Sequence, residues 1–268
     1  MDLQLDGKTA LVSGSTAGIG LAIAQRLAAE GALVTVVGRS RAKLDEAAAM
    51  VAEQSPSGAA QAGVRAILAD LGTAEGAAAV ASAVPEVDIL VNNLGIYESK
   101  AFTDISDDDW RRFFDVNVLS GARLARQYMP GMLKRDWGRI IFIASESALN
   151  IPTDMIHYGM TKTAQLAISR GLAGLTKGSR VTVNSVLPGP TRSEGIIDFL
   201  KSVARDPNAP AAEIEARFFA IDRPSSLIQR MIEPEEIASL VAYVASPLSA
   251  ATNGAALRVD GGIIPTIA

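Results

Sequence analysis

The sequence contains no cysteine and a single histidine, His157. These absences exclude disulfide bonds, thiolate chemistry and every metal site built from cysteine or from several histidines, including the zinc route to alcohol oxidation. A metal site made of carboxylates alone would need a compact group of Asp and Glu, and the spacing of the acids suggests none. We therefore expect chemistry that needs no metal ion.

Long apolar runs and runs of basic residues are also missing. No stretch approaches the roughly 18 apolar residues that a membrane-spanning helix needs. The N-terminus carries Asp2 and Asp6 where a signal peptide has a basic and then an apolar region. The net charge is −4, so the basic footprint of a nucleic-acid-binding protein is absent. We expect a cytoplasmic protein that binds neither membranes nor nucleic acid.

Aromatic residues are few, at 5%, but hydrophobic residues make up 49% of the 268 positions, enough for a substantial core. Short apolar runs alternate with longer helical patterns. The predicted strands are Lys8–Ser13, Leu33–Gly38, Val64–Ala69, Val87–Val91, Arg139–Ser145, Arg180–Leu187 and Ala256–Val259. The predicted helices are Gly18–Glu30, Arg41–Gln54, Thr73–Ala83, Asp107–Lys134, Met155–Lys177 and Pro234–Ala245.

The apolar strands show no polar alternation, which predicts burial on both faces, as in a parallel sheet. Strands that alternate with helices are joined by right-handed crossovers. We therefore predict an α/β fold: a single domain over residues 1–268, with a doubly wound parallel sheet of about seven strands and helices on both faces.

One long irregular segment, residues 188–234, follows the sixth predicted strand. Segments of this length in compact domains are often functional lids, and we predict a substrate lid here. Among the apolar residues that it carries are Ile196, Ile197, Phe199, Leu200, Phe218, Phe219 and Leu227. They either cover a cleft, which favours a medium-sized and largely apolar substrate, or simply pack the lid onto the domain.

A glycine-rich turn follows the first predicted strand. It comprises Gly14, Ser15, Thr16, Gly18, Ile19 and Gly20, and a helical pattern begins within it. Glycines let the backbone turn tightly and approach a pyrophosphate, and a helix N-terminus offers free N–H groups to that anion. This placement indicates a dinucleotide site in a Rossmann-like fold, with a purely structural tight turn as the alternative.

The end of the second predicted strand bears on which dinucleotide binds. A site for NAD places an acid about 20 residues beyond the turn, to bind the ribose 2′-hydroxyl. Here the strand ends at Gly38 and Arg39 follows, while the nearest acid, Asp45, lies well into the next helix. Arginine can bind a 2′-phosphate through two hydrogen bonds. The sequence therefore favours NADP(H) over NAD(H), with a solvated loop charge as the alternative for Arg39.

Proton-transfer chemistry is indicated by Ser145, Tyr158 and Lys162. The last two are four positions apart on a predicted helix and share one face, and Ser145 ends a predicted strand 13 residues before Tyr158. Hydride transfer to a carbonyl carbon requires a proton at oxygen, which a tyrosine can supply. The alternative for Tyr158 and Lys162 is an ordinary amphipathic helix whose lysine extends to solvent.

The free tyrosine pKa is near 10, and bringing it toward neutrality requires roughly 3–5 kcal/mol of preferential stabilisation of the phenolate. One ammonium about 4 Å away supplies roughly 4 kcal/mol at an effective dielectric constant of about 20. We therefore expect Lys162 to lower the pKa of Tyr158, with burial opposing this effect and a cationic nicotinamide ring assisting it.

These motifs together resemble the short-chain dehydrogenase/reductase family. The glycine spacing G-x-x-x-G-x-G, the serine before Y-x-x-x-K, and Asn117 in the long preceding helix all occur in the family's order, and the resemblance covers essentially the whole chain. Ser13 stands where the family more often has threonine, and Leu94 replaces the alanine of its N-N-A-G.

The resemblance implies catalytic roles for Asn117, Ser145, Tyr158 and Lys162. Tyr158 would be the general acid and base, and Ser145 would hold the substrate oxygen. Lys162 would also bind the nicotinamide ribose, and Asn117 would order a water that relays protons.

Further cofactor contacts are implied at the carboxyl ends of the strands. They are Asp70 and Leu71 after the third strand, Asn93 and Gly95 after the fourth, and Pro188, Gly189, Thr191 and Ser193 after the sixth. For Asp70 a helix cap is an equal alternative, and we expect the neighbouring Asn92 to brace the sheet. Ser193 takes the place of the threonine in the family's P-G-x-x-x-T, which leaves its nicotinamide contact open.

Three other polar residues lie near the predicted site. His157 is adjacent to Tyr158, but one residue along a helix turns it about 100° away, so we interpret it as structural or peripheral to the substrate. We expect Glu146 and Asp154 to be solvated or capping groups.

The long helix carries a wide apolar stripe: Trp110, Phe113, Phe114, Val118, Leu119, Leu124, Tyr128 and Met132. Its width suggests contacts with both the sheet and a second subunit. The resemblance likewise implies a homodimer or homotetramer formed through this helix and the Tyr158 helix.

We therefore predict an NADP(H)-dependent oxidoreductase that interconverts a small-molecule carbonyl and a secondary alcohol. A 3-oxoacyl thioester (acyl-carrier-protein) reductase is the nearest alternative, although its lid is usually shorter. A non-catalytic NADP-binding regulatory protein is a second alternative, although such proteins commonly lose one of the catalytic positions. A dehydratase or epimerase is a third.

Overall fold

Seven parallel strands form one sheet in the part of the chain that the computed structural model describes, residues 1–56, 63–193, 196, 200, 206 and 208–267. In chain order β1 to β7 are Thr9–Val12, Leu33–Gly38, Val64–Leu68, Ile89–Asn92, Gly138–Ile143, Val181–Pro188 and Ala256–Val259. Their order across the sheet is β3-β2-β1-β4-β5-β6-β7. The predicted doubly wound α/β fold is confirmed.

Helices follow most of the strands. In chain order α1 to α8 are Gly18–Ala29, Arg41–Ala52, Ala74–Ala83, Asp107–Phe114, Ser120–Arg135, Ile156–Gly174, Ala211–Arg217 and Pro234–Ala245. Helix α4 begins at a capping box, in which the Ser106 hydroxyl accepts from the Asp109 N–H and the Asp109 carboxylate accepts from the Ser106 N–H.

The prediction of one unbroken helix over Asp107–Lys134 is wrong. A π-helical turn, Asp115–Leu119, separates α4 from α5. A π turn adds one residue to the helical repeat and often lies at a functional site. This one carries Asn117, whose side chain bonds to the chain after β4.

The core lies in two layers, one on each face of the sheet. Helices α1, α2 and α8 pack on one face, and α3, α5 and α6 on the other. The prediction that the strands are buried on both faces is confirmed for the central strands. It is wrong for β3, where Arg65, Ala66 and Leu68 are exposed. Because β3 is an edge strand, it has a neighbour on one side only.

The strand order reverses between β1 and β4. In open α/β sheets the crevice at such a reversal, beyond the carboxyl ends of the strands, is where ligands bind. The glycine turn after β1 and the segment after β4 therefore face the same crevice.

The lid has a small apolar core of its own. Phe218 and Phe219 lie in a second π turn, Phe218–Asp222, and pack with Leu200, Ile214 and Met231. This supports the interpretation that the apolar residues pack the lid, although Ile196 and Phe218 also line the cavity described below. Leu227 is 82% exposed and does neither. Ile197 and Phe199 lie outside the described residues.

Within the described residues, no helix combines the length and the apolar character that crossing a bilayer requires.

Candidate active site

A cavity of about 520 Å³ opens at the carboxyl ends of the strands. Predicted site residues that line it are Gly14, Thr16, Gly18, Ile19, Gly20, Arg39, Asp70, Leu71, Asn93, Gly95, Ser145, Tyr158, Lys162, Pro188, Gly189, Thr191 and Ser193. Ser15 and Asn117 do not line it. One cavity thus joins the glycine turn, the Tyr158 group and the first residues of the lid.

The glycine turn has the geometry that a bound pyrophosphate requires. Gly14 and Gly18 have positive φ values of 62° and 53°, and a side chain at Gly20 would overlap the Gly14 carbonyl oxygen and the Asn93 side-chain nitrogen. No side chain caps the N-terminus of α1, so its first-turn N–H groups are available to an anion. The residues present therefore fit a dinucleotide.

Two polar residues brace this turn. The Asn93 Nδ2 donates to the carbonyl oxygens of Ser13 and Gly14, each at 3.0 Å. The Ser13 hydroxyl oxygen accepts from the N–H groups of Asn93 and Leu94, each at 2.9 Å. The serine that replaces the family's threonine thus ties the end of β1 to the end of β4.

Ser15 lies behind the turn. Its side chain is buried and its hydroxyl oxygen accepts from the Val37 N–H at 2.9 Å. Because the hydroxyl is bonded to β2 and does not line the cavity, the predicted cofactor contact of Ser15 would come from its backbone.

Arg39 and Asp70 meet at the cavity wall, where Arg39 Nη1 lies 3.5 Å from Asp70 Oδ2. The alternative role of Asp70 as a helix cap is wrong, because the Thr73 hydroxyl caps α3 by accepting from the Gly76 N–H. Asp70 Oδ1 instead accepts from the Gly72 N–H at 2.9 Å. Exposed ion pairs contribute only about 0–1 kcal/mol, so Arg39 can exchange its partner easily.

Lys162 is held beneath Tyr158. Its Nζ donates to the Ile143 carbonyl oxygen at 2.9 Å and lies 5.7 Å from the centroid of the Tyr158 ring. Burial lowers the pKa of Lys162 to about 8, with the charge of Glu146 acting in the opposite direction. At neutral pH the side chain is therefore mostly an ammonium ion.

The opposing effect of burial on the pKa of Tyr158, which the sequence predicted, is larger than the effect of its neighbours. Burial raises the pKa of Tyr158 above its ordinary value. A hydrogen bond with Ser145 lowers it, while the charges of Glu146 and Tyr97 raise it. Desolvation disfavours the phenolate more than the surrounding groups favour it.

Glu146 is the functional candidate that sequence reasoning missed. We expected a solvated or capping group, but the residue is only 6% exposed and lines the cavity. Its Oε2 accepts from the Ser145 hydroxyl at 2.5 Å, the Ser147 N–H at 2.6 Å and the Ser147 hydroxyl at 2.9 Å. The available signal was its position, one residue after Ser145 at the carboxyl end of a buried strand.

Asn117 is a positioning residue in this structure. Its Oδ1 accepts from the Ile96 N–H at 2.8 Å, and its Nδ2 donates to the Ile96 carbonyl oxygen at 2.9 Å and to the Thr161 hydroxyl at 3.0 Å. Its own carbonyl oxygen accepts from Gln165. Asn117 therefore joins the segment after β4 to α6, and the water relay stays a prediction.

His157 lies away from the cavity, as predicted. It is buried against Phe113, with ring centroids 4.0 Å apart, and near Trp110 at 6.1 Å. Burial lowers its pKa.

Asp154 accepts from the Ser99 hydroxyl at an exposed position. Asn92 is buried, but its amide has no hydrogen-bond partner among the described residues, so the predicted bracing is by packing beside Gly121.

The segment after β6 closes the cavity over the glycine turn. The buried Thr191 hydroxyl donates to the Gly189 carbonyl oxygen at 2.8 Å. A side chain added at Gly18 would meet the Ser193 Cβ at 3.4 Å, so these two residues face each other across the site. A side chain at Gly189 would lie 2.7 Å from the Asp260 carbonyl oxygen, which explains the glycine.

Comparison with known proteins agrees with this fold and site. The family described as short chain dehydrogenase matches residues 8–201. An uncharacterised oxidoreductase of Bacillus subtilis, YvaG, is 51% identical over 267 residues, covering 100% of both chains. A 3-oxoacyl-[acyl-carrier-protein] reductase of Aquifex aeolicus is 30% identical over 269 residues, covering 98% of this chain and 100% of that one.

Among solved structures, the L-sorbose reductase of Gluconobacter frateurii, complexed with NADPH and L-sorbose, superposes with a TM-score of 0.90. It is 31% identical, with 100% of each chain covered. Together with the fold, these relatives define a nicotinamide-dependent oxidoreductase. The chain belongs to the short-chain dehydrogenase/reductase family.

Proposed function

We propose that this protein interconverts a carbonyl and a secondary alcohol with NADP(H), and that Tyr158 is the general acid and base. The observation that carries the proposal is the single cavity that holds Ser145, Tyr158 and Lys162 together with the glycine turn. The similarity of this chain to the NADPH-bound L-sorbose reductase, in both fold and sequence, supports the same reaction class.

The nicotinamide ring, when bound, supplies or accepts the hydride. In the reducing direction Tyr158, which is protonated at neutral pH, donates its proton to the substrate oxygen. The ammonium of Lys162, fixed by the Ile143 carbonyl oxygen, stabilises the phenolate that remains. Ser145, hydrogen-bonded to Tyr158, orients the phenol toward the substrate.

The preference for NADP(H) rests on Arg39. Its side chain is 74% exposed at the cavity wall, beyond the end of β2, and its partner Asp70 is a weak, exposed one. A 2′-phosphate can replace that carboxylate and accept two hydrogen bonds from the guanidinium. The adenine and ribose of the cofactor would lie against Asp70, Leu71, Asn93 and Gly95. Because the Asn93 side-chain nitrogen already donates to Ser13 and Gly14, its contact with the cofactor would come mainly from its backbone.

We also propose that residues 1–268 act as one catalytic unit with residues 188–234 as its lid, and that the protein forms a homodimer or homotetramer. A 3-oxoacyl thioester reductase remains the nearest alternative, supported by the relative from Aquifex aeolicus. A non-catalytic NADP-binding role is disfavoured by the intact Ser145, Tyr158 and Lys162.

The test is turnover of a panel of ketones and secondary alcohols, followed by cofactor absorbance with NADPH and with NADH. Tyr158→Phe should lower kcat by about 10²–10⁴-fold while NADPH binding, followed by fluorescence, is retained. Tyr243→Phe, an exposed tyrosine on α8, is the control and should keep its activity.

Three outcomes would count against the proposal. Binding of NADPH without turnover of any compound would favour the regulatory alternative. Full activity of Tyr158→Phe would remove the tyrosine from the mechanism. Equal use of NADH would remove the argument from Arg39.

A further inference from the structure

Glu146 and Arg223 lie side by side in the cavity wall, close to Ser145. Glu146 follows Ser145 after β5, and Arg223 follows the π turn of the lid. Both line the cavity, and the two charged groups come from elements that are far apart in sequence. The catalytic roles proposed above use neither of them.

Among the described residues, one oxygen of Glu146 has no hydrogen-bond donor. Its Oε2 accepts from three donors. For Oε1, the contact found within the described part of the chain is Arg223 Nε at 3.9 Å, which is longer than a hydrogen bond. Because Glu146 lines the cavity, this oxygen can accept a hydrogen bond from a ligand there.

Arg223 is held in place by two contacts that leave several of its N–H groups without an acceptor among the described residues. Its Nη1 donates to the Asp222 carbonyl oxygen at 2.9 Å, and the guanidinium lies 5.4 Å from the centroid of the Phe218 ring. The side chain is 23% exposed. A guanidinium has five N–H donors, and one hydrogen bond leaves most of them available to a molecule in the cavity.

The chemistry of the pair selects which ligand group can contact both side chains from the cavity. A second carboxylate would be repelled by Glu146, and an ammonium would be repelled by Arg223. A hydroxyl satisfies both, because it donates one hydrogen bond and accepts others. A methyl group in the same place would leave the Glu146 oxygen without a donor.

We propose that Glu146 and Arg223 bind a hydroxyl of the substrate, and that the substrate is a ketone with a hydroxyl close to the reacting carbonyl. This inference rests on the proposed carbonyl reduction. The closeness follows from Glu146 itself, whose other oxygen accepts from Ser145 at the catalytic tyrosine. A largely apolar substrate was one of two interpretations of the lid residues, and this proposal replaces it with a substrate that has a polar group beside the carbonyl.

Pairs of ketones in which a hydroxyl replaces a methyl group test the proposal. Hydroxyacetone is compared with 2-butanone, and dihydroxyacetone with 3-pentanone, as kcat/KM with NADPH. A charge-assisted hydrogen bond of the kind proposed corresponds to about 10- to 100-fold in kcat/KM in favour of the hydroxylated member. An equal or reversed preference in the wild type overturns the proposal.

Two variants locate the preference. Arg223→Met keeps the apolar stem over Phe218 and removes the donors, and Glu146→Gln removes the charge while keeping the shape. Each should reduce the hydroxyl preference about tenfold, with a smaller effect on the unsubstituted ketones. Arg217→Met and Glu213→Gln, at exposed lid positions, are the matched controls and should keep the preference. Retention of the full preference by Arg223→Met overturns the proposal.

Binding of dihydroxyacetone and 3-pentanone, measured by saturation-transfer NMR, separates this inference from the proposed function. Hydroxyl-dependent binding that Arg223→Met abolishes, without any turnover, overturns the proposed function and supports the hydroxyl site. Turnover of ketones without hydroxyl preference overturns the hydroxyl site alone. Absence of both binding preference and turnover overturns both. The melting temperature shows whether Glu146→Gln folds. If Glu146→Gln does not fold, the result for Arg223→Met decides the test.

Discussion

Lys162 is a charged group that the fold keeps where burial opposes charge. It is 5% exposed, and its Nζ donates to Ile143 and, at 3.4 Å, approaches the Gln165 side-chain oxygen. These neutral acceptors orient the ammonium without neutralising it. The charge therefore remains available to stabilise a phenolate at Tyr158, at the expense of stability in the resting protein.

This cost gives Lys162 a measurable effect on stability as pH changes. Its pKa is about 8 in the folded protein and about 10.5 in the unfolded chain. Between these values the unfolded chain holds a proton that the folded chain has released, so stability rises with pH. Between pH 7 and pH 9.5 we expect the wild type to gain about 2 kcal/mol relative to Lys162→Met.

The measurement is chemical denaturation of both proteins at the two pH values. Lys177→Met, at an exposed position, serves as the control and should follow the wild type. A difference between wild type and Lys162→Met that stays constant with pH would show that the lysine is not destabilised by burial.

Single residues were predictable where spacing alone defines the chemistry. The four-residue interval between Tyr158 and Lys162 places them on one helix face whatever surrounds them. The pKa of Tyr158 and the role of Glu146 were not predictable, because both depend on burial. The partner of Glu146 is Arg223, which lies 77 positions later in the sequence, and no local pattern indicates such a distant contact.

At the scale of elements, two glycines of the turn between β1 and α1 lie where a side chain would meet neighbouring atoms. A Cβ at Gly14 would lie 3.1 Å from the Leu94 Cα, and one at Gly20 would overlap the Gly14 carbonyl oxygen. The obstructing atoms belong to backbone or to the Asn93 amide that braces it, so they cannot move aside cheaply. The glycines here are required by the fold as well as by the cofactor.

Substitution of Gly20 by alanine should therefore affect both stability and cofactor binding. Overpacking of this kind costs about 1–3 kcal/mol, and we expect the Kd for NADPH to rise at least about tenfold because the turn must widen. Gly171→Ala is the control. A Cβ at Gly171 meets nothing within 4 Å, and alanine should stabilise α6 by about 0.5–1 kcal/mol.

Denaturation and fluorescence titration measure the two effects separately. If Gly20→Ala has the free energy of unfolding and the Kd for NADPH of the wild type, the turn adapts to a side chain more readily than its geometry indicates.

Most elements were predictable because the apolar strands and the amphipathic helices differ in period. All seven predicted strands occur, with ends displaced by a few residues. Two features were not predictable. The π turn at Asp115–Leu119 preserves the helical pattern on either side, and the exposure of β3 depends on its place at the sheet edge, which is set by topology.

For the whole molecule, the wide apolar stripe of the long helix is explained mainly within one chain. Phe113, Val118, Leu124, Tyr128 and Met132 are all buried in the chain itself. Trp110 and Leu119 are partly buried, and Phe114 is 40% exposed. The interpretation that the stripe also serves a second subunit therefore depends on Phe114 and its surroundings, and the cytoplasmic location likewise stays a prediction.

The proposed oligomer can be tested at Phe114. If two copies associate through α4, α5 and α6, the exposed Phe114 ring is buried at the interface, and an arginine there would place a charge in an apolar contact. Sedimentation of the wild type at low concentration should show a dimer or tetramer, and Phe114→Arg should sediment as a monomer. Leu248→Arg, at an exposed position beside α8 on the opposite face of the sheet, should leave the assembly intact. A monomeric wild type would exclude the oligomer, and an intact Phe114→Arg assembly would place the interface elsewhere.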